Sequence, residues 1–334
     1  MTVVDQLHQK GIVREGTPKR GFACRHLGAG AVTSAERERI EALKVPPAWE
    51  DVAIAKSPRA RVQATGKDRA GRWQYLYHPV AVQKREREKY RKMMAFAASL
   101  PAMRKTVHEH LRRGELDREK VMATILRVLS TRYIRAGSQK YAGDNASYGI
   151  ATLLLRHVKV HGDTVVFDFE GKSQQHQHRE LKDRSVAKVI RQLMRSPGRE
   201  LFKFKDAEGG WVDVRRRHVN TYIKEVMCEQ FSAKDFRTWA GTLLCACALA
   251  RTGFAPEDSK TARKRKVVAA IKETAALLGN TPAVCRASYI YPTVLASYER
   301  GQVVASTIQS AEELVKHRAF SLHRCERALL KLIR

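Results

Sequence analysis

The chain has 334 residues, of which 43% are hydrophobic, and its 63 Lys and Arg against 34 Asp and Glu give a formal net charge of +29. This hydrophobic content argues against a disordered chain, and no apolar run approaches the ~18 residues that a membrane-spanning helix needs. A basic excess spread over the whole chain is typical of proteins that bind nucleic acid, a ribosome-associated or merely basic protein being the alternative.

Two further absences in the sequence narrow the expected class. The first seven residues lack a basic start followed by an apolar core, so no secretory signal is expected, and the six scattered cysteines indicate a reducing, cytoplasmic compartment. The sequence has no Gly-x-x-x-x-Gly-Lys-Ser/Thr loop and no convincing cluster of metal ligands. We therefore expect activity without nucleotide, metal or other cofactor.

The first 84 residues predict a small β-rich domain. Residues 1–30 carry many glycines and are expected to be irregular, residues 35–43 predict a short helix, and residues 51–63 predict short strands. Residues 73–77 predict a strand with Trp73, Tyr75 and Tyr77 on one face. Aromatic rings interleaved with Gln74 could contact DNA, the alternative being an ordinary strand of a small sheet.

Residues 85–334 predict a larger, mainly helical domain. Helices are expected over 85–99, 102–113, 117–130, 184–195, 214–230, 235–251 and 260–278, followed by a basic amphipathic tail. Alternating apolar residues over 153–169, with a return near 177–181, interrupt them and predict three antiparallel strands. The fold class is therefore α+β, with domains 1–84 and 85–334.

A short stretch near residue 280 predicts a distinctive local structure. Gly279 is suited to a left-handed helix cap, Thr281 and Pro282 read as the N-cap and first residue of a short helix, and Pro292 is expected to stop that helix. Tyr289 then lies near a helix end, where a phenol can project out of the core. Taken alone, it is an ordinary tyrosine.

Five residues along the chain suit phosphodiester chemistry, although so basic a chain would supply many such sets by chance. Arginines can hold non-bridging phosphate oxygens through bidentate, permanently charged donors. A phenol can act as the nucleophile, and a lysine can donate a proton to the leaving oxygen. The candidates are Arg135, Lys172, Arg237, Asn280 and Tyr289.

Local sequence words are more specific than this spacing. They occur in order as Pro46-Pro47-Ala48-Trp49, Gln74-Tyr75-Leu76-Tyr77-His78, Arg135-Ala136-Gly137 through Tyr141, Tyr148-Gly149, Phe169-Glu170-Gly171-Lys172, Lys234-Asp235-Phe236-Arg237-Thr238, and Leu278-Gly279-Asn280 through Ser288-Tyr289. In combination they resemble the type IB DNA topoisomerases, in particular the short poxvirus-like and bacterial branch. The resemblance spans most of the chain.

The resemblance implies a role for each candidate. Tyr289 would be the nucleophile that forms a 3′-phosphotyrosyl bond, and Arg135 and Arg237 would clamp the transition state. Lys172, acting with Arg135, would be the general acid for the leaving 5′-oxygen. Asn280 stands where many relatives have histidine; an amide can still donate to a non-bridging oxygen but cannot titrate near neutrality.

The resemblance also implies how DNA is bound. Contacts are expected from Gln74, Tyr75, Tyr77, Tyr141 and Lys234. The two domains would close as a clamp around duplex DNA, and the enzyme would act as a monomer associated with the nucleoid.

Two alternatives remain open from the sequence. A tyrosine recombinase shares this chemistry, but it usually has histidines where this chain has Lys234 and Tyr291, and its N-terminal domain is normally helical. A non-catalytic architectural DNA-binding protein would explain the charge but would leave the five candidates as a coincidence.

Overall fold

The structure, a computed structural model, describes residues 1–28, 30–310, 312–317 and 319–334. The side chains of Tyr90, Lys140, Tyr141 and Asn145 lie outside this description. Two compact units divide the chain, residues 1–90 and residues 91–334. The domain boundary predicted near residue 84 remains a prediction.

The first unit is built on a five-stranded antiparallel sheet in the order β2-β1-β3-β4-β5. Its elements are α1 (Val3–Lys10), β1 (Ile12–Thr17), β2 (Gly21–His26), α2 (Ser34–Ala42), β3 (Glu50–Ile54), β4 (Val62–Lys67) and β5 (Trp73–Tyr77). The expectation that residues 1–30 are irregular is wrong, because they form a capped helix and a hairpin. Charged side chains such as Arg14, Glu15 and Arg25 on this hairpin hide the alternation that marks a strand.

The core of this unit packs against one side of the sheet. Ile12, Val52 and Ile54 are buried there, and Trp49 packs on them from the Pro-Pro-Ala-Trp word. A Cβ built on Gly66 would lie 2.9 Å from the Trp49 ring, so the strand needs glycine where the indole crosses it. This word therefore has a structural role in the unit.

A 33-residue helix, α3 (Pro79–Leu111), contains the division between the units. The sequence predicted two helices separated near Pro101, and the structure has one continuous helix. Proline removes one backbone hydrogen bond, but the surrounding turn buries Phe96, Leu100 and Met103, which are at most 3% exposed. Burial of these side chains outweighs the missing bond.

The second unit is mainly helical and contains a three-stranded antiparallel sheet, β6-β7-β8. After α3 its elements are α4 (Arg118–Arg132), α5 (Gln139–Asn145), β6 (Val158–His161), β7 (Thr164–Glu170), β8 (His176–Lys182), α6 (Arg184–Met194), β9 (Lys203–Lys205), β10 (Trp211–Asp213), α7 (Arg216–Val226), α8 (Ala233–Thr252), α9 (Lys260–Leu278), α10 (Pro282–Tyr289), α11 (Pro292–Glu299), α12 (Glu312–Lys316) and α13 (Arg324–Ile333). The three-stranded sheet is as predicted, whereas the β9–β10 hairpin was not predicted.

Helix α8 is the centre of this unit. Most of its length is buried, and it packs against α4, α7, α9, α10, α11 and α13. Small residues such as Gly241, Cys245 and Ala248 let neighbouring helices approach closely. No helix in the described ranges is both long and apolar enough to cross a membrane.

Candidate active site

Arg135 follows α4 in a loop fixed by two close backbone approaches. Tyr133 ends α4 in the left-handed region, with φ 55°, and the chain then runs against residues 149–151. Ile150 N donates to Arg135 O at 2.8 Å, and a Cβ on Gly149 would lie 2.5 Å from that oxygen. The words Arg-Ala-Gly and Tyr-Gly, which are separate in the sequence, are thus one structural contact.

Arg237 lies in the first turns of α8 and is 3% exposed. Its Nη2 donates to Leu278 O at 2.8 Å, and its Nη1 donates to Tyr133 O. Two carbonyls, one from the end of α4 and one from the end of α9, therefore fix the guanidinium plane. Its Nε is buried without a hydrogen-bond partner among the described residues.

The turn between α9 and α10 carries Asn280. Gly279 caps α9 with φ 61°, as predicted, and Arg135 Nη2 donates to Gly279 O at 3.0 Å and to Asn280 Oδ1. That bond directs the amide so that its Nδ2 is the free donor, and Nδ2 is buried with no partner in the described part of the chain. Arg237 Nε and Asn280 Nδ2 are thus unsatisfied donors, which a phosphate oxygen could satisfy.

Tyr289 is the last residue of α10, which begins at Pro282 behind the N-cap Thr281 as predicted. The guanidinium carbon of Arg237 lies 4.9 Å from the centre of its ring. The short helix α10 ends just before Pro292, as predicted, and Pro292 is itself the first residue of α11. The Thr242 hydroxyl donates to Thr238 O at 2.8 Å in its own helix. It also accepts from Tyr291 N at 3.2 Å and lies 3.2 Å from Tyr289 O, so it holds the turn between α10 and α11.

Charges at this cluster favour the ionised phenol. Burial alone would raise the pKa of Tyr289, but the positive charge of Arg237, with the charges of Arg135 and Lys234, outweighs burial and holds that pKa below its usual value. Burial, followed by repulsion from Arg237, lowers the pKa of Arg135 to about 10. The arginines remain charged at neutral pH. They increase the ionised fraction of the phenol, and this favours its use as a nucleophile.

Lys172 is not brought into this cluster. It is exposed at the start of the turn between β7 and β8, directly after Gly171, and makes no hydrogen bond or ion pair with another described residue. Its turn is joined to the Arg135 loop, because Tyr148 N donates to Glu170 O at 2.8 Å.

The predicted DNA-binding residues are distributed over both units. Gln74, Tyr75 and Tyr77 lie on edge strand β5, where the two tyrosine rings stack at 6.2 Å and Tyr75 is 40% exposed. Lys234 is exposed in the first turn of α8. The side chain of Tyr141 lies outside the described residues.

Four residues that support the site were missed at the sequence level. Gly241 in α8 lets α10 approach, since a Cβ there would lie 2.7 Å from Tyr289 O, and Thr242 holds the turn described above. Gln177 and Arg179 lie on the buried face of β8, opposite Phe169 and Phe167. A glycine inside a helix and polar residues at apolar strand positions were the available signals.

Comparisons with known proteins place this chain in a family. The profile described as eukaryotic DNA topoisomerase I, catalytic core, matches residues 80–313. The profile described as bacterial DNA topoisomerase IB, N-terminal domain, matches residues 24–68.

Individual relatives agree with these profiles. The chain is 32% identical to DNA topoisomerase 1B of Acanthamoeba polyphaga mimivirus over 305 residues, which cover 88% of this chain and 90% of that protein. It is 24% identical to DNA topoisomerase 1B of Vaccinia virus over 265 residues, 77% of this chain and 80% of that protein. These matches do not favour a recombinase, and the chain belongs to the short type IB DNA topoisomerases.

Proposed function

We propose that this enzyme relaxes supercoiled duplex DNA by cutting one strand through Tyr289, allowing the strand to rotate, and resealing it. The main support is that Arg135, Arg237 and Asn280 come together beside Tyr289. Two of their donors, Arg237 Nε and Asn280 Nδ2, are left unsatisfied. Such donors can bind the oxygens of one phosphate beside the phenol.

In the proposed reaction the ionised Tyr289 oxygen attacks phosphorus while the bond to the 5′-oxygen breaks. Arg135 and Arg237 neutralise the charge that develops on the non-bridging oxygens, and Asn280 donates a further hydrogen bond. Lys172 gives its proton to the leaving 5′-oxygen. The phosphotyrosyl bond conserves the energy of the phosphodiester bond. The released 5′-hydroxyl can therefore attack it, which reseals the strand and frees Tyr289, and neither ATP nor a metal ion is required.

DNA binding is proposed to involve both units. Gln74, Tyr75 and Tyr77 would contact the duplex from the first unit, and Tyr141 and Lys234 from the second, so that the protein encircles DNA as a monomeric clamp in the nucleoid. Tyr75→Ala should weaken DNA affinity and leave the cleavage rate at saturation unchanged. Sedimentation with and without DNA measures the oligomeric state.

Relaxation of a supercoiled plasmid tests the function directly. The plasmid has no designated recombination site, enzyme is well below plasmid concentration, and the buffer contains EDTA and no ATP. We expect relaxation of positive and negative supercoils, with an optimum at intermediate salt because high salt weakens phosphate contacts. Absence of relaxation, with activity only on paired specific sites, would reject the proposal in favour of recombination.

Phenylalanine substitutions test the nucleophile. Tyr289→Phe should lose covalent capture of DNA and retain non-covalent binding, whereas Tyr291→Phe, two residues away, is the matched control and should capture DNA normally. The reverse result would reassign the nucleophile.

A further inference from the structure

One polar side chain fills the space between the Lys172 turn and the Asn280 turn. Gln177 on β8 is 7% exposed, and a Cβ built on Gly171 would lie 2.9 Å from its Cγ. A Cβ built on Gly279 would lie 2.5 Å from its Oε1. Gln177 therefore packs directly on the residue before Lys172 and on the residue before Asn280.

The amide of Gln177 is fixed by hydrogen bonds on both sides. Its Nε2 donates to Gln175 O at 3.2 Å and to His176 O at 3.1 Å. Gln175 O also accepts from Gly171 N at 2.9 Å, which closes the turn that carries Lys172. The turn is thus tied to Gln177 rather than to any contact of the Lys172 side chain.

Arg179 holds the other side of the amide. Its Nη2 donates to Gln177 Oε1 at 2.9 Å, and no carboxylate pairs with Arg179 within the described ranges. Burial and then the charges of Arg237 and Arg132 lower the pKa of Arg179, so this guanidinium lies in the same electrostatic environment as the phosphate clamp. Arg179 Nη1 also donates to His178 O at 3.1 Å, so Gln177 Oε1 and this backbone carbonyl together orient the guanidinium.

We propose that Gln177, oriented by Arg179, is a positioning residue that sets the Lys172 turn against the Gly279–Asn280 turn, so that the proton donor meets the leaving oxygen. This inference rests on the proposed role of Lys172 as the general acid. Neither Gln177 nor Arg179 needs to touch DNA for this role.

A leaving group that needs no proton separates positioning of the acid from general structural support. Single-turnover cleavage is measured at saturating enzyme with an ordinary phosphodiester and with a 5′-bridging sulfur at the scissile bond. Gln177→Ala should slow the ordinary substrate by about 10-fold to 100-fold, the effect expected of a misplaced catalytic group, and should cleave the sulfur substrate at nearly the normal rate. The double variant Gln177→Ala/Lys172→Ala should be no slower than Lys172→Ala.

Two further variants complete the test. Gln177→Glu keeps the shape and can pair with Arg179 but cannot donate to the turn carbonyls, so it should show the same leaving-group-dependent defect in a folded protein. His178→Ala, on the opposite, exposed face of β8, is the matched control and should behave as the unmodified enzyme with both substrates.

The outcomes distinguish the positioning role of Gln177 from the general-acid role of Lys172. Equal slowing of both substrates by Gln177→Ala and Gln177→Glu, with Lys172→Ala rescued by sulfur, would overturn the positioning role alone. Failure of sulfur to rescue Lys172→Ala would overturn the general-acid role and, with it, this inference.

Discussion

Replacement of Arg237 by alanine should remove most of the electrostatic activation of Tyr289. The guanidinium carbon lies 4.9 Å from the centre of the phenol ring. Two unit charges about 5 Å apart at an effective dielectric constant near 20 interact by about 3 kcal/mol. That energy corresponds to roughly 10²-fold in the rate of covalent cleavage, and loss of a donor to the phosphate should add to it.

The same substitution has a separate effect on stability. Arg237 donates to the carbonyls of Tyr133 and Leu278, and a buried acceptor left without its donor costs about 1–3 kcal/mol. Thermal unfolding must therefore be measured beside the kinetics. Arg237→Lys keeps a positive charge without the two-pronged donor and should fall between Arg237→Ala and the unmodified enzyme in cleavage rate.

The assay is single-turnover formation of the covalent complex on a short duplex, with enzyme in saturating excess. DNA affinity, measured separately, should change little because 63 Lys and Arg are available to share phosphate contacts. Arg286→Ala, an exposed arginine on the same helix as Tyr289, is the control. A folded Arg237→Ala enzyme that binds weakly but cleaves at the normal rate once saturated would refute the reasoning.

Three other predictions concern Tyr289, Gly241 and His178. Because nearby cations hold the pKa of Tyr289 below its usual value, the rate of cleavage of the 5′-bridging sulfur substrate should rise with pH at values below about pH 10. Lys234→Ala should move this rise in the pH–rate profile to higher pH, whereas Lys182→Ala should not. Gly241→Ala should slow covalent cleavage by about 10-fold or more, because its new methyl group would displace the Tyr289 backbone; a normal rate would contradict this contact. Hydrogen bonds to Asp168 and then Glu180 raise the pKa of His178 in the folded state. The charged His178 therefore stabilises the fold below pH ~6.5, and this stabilisation is lost as pH rises through the folded-state pKa. His178→Ala should lower Tm at pH 5.5 more than at pH 9, and an equal loss at both pH values would exclude this stabilisation.

Local signals in the sequence were sufficient for much of the second unit. Alternation over 153–169, with a return near 177–181, predicted the three strands, and the Gly279, Thr281 and Pro282 signals predicted the end of α9 and the start of α10. Each depends on the backbone preferences of a few adjacent residues. Such signals fail at Pro101, where burial of the surrounding turn keeps α3 continuous.

Assembly of the site could not be worked out from local signals. Arg135, Arg237 and Tyr289 meet because the ends of α4, α9 and α10 converge on α8, and only family resemblance indicated those residues beforehand. Gln177 and Arg179 carried a weak signal, because they are polar residues at buried strand positions. The role that we propose for them depends on the contact of Gln177 with Gly279, about 100 residues away in sequence. Long-range packing of this kind leaves little trace in a single sequence.

The three guanidiniums of Arg135, Arg179 and Arg237 have a consequence for how the enzyme can be stabilised. They repel one another, and no carboxylate neutralises them within the described ranges. Their mutual repulsion opposes folding, whereas the carbonyl oxygens that Arg135 and Arg237 satisfy favour it, so the cluster holds three positive charges together at a cost in stability. Multivalent anions such as sulfate, which bind the native cluster and not the unfolded chain, should accordingly raise Tm in the unmodified enzyme more than in a variant that lacks one of the three arginines.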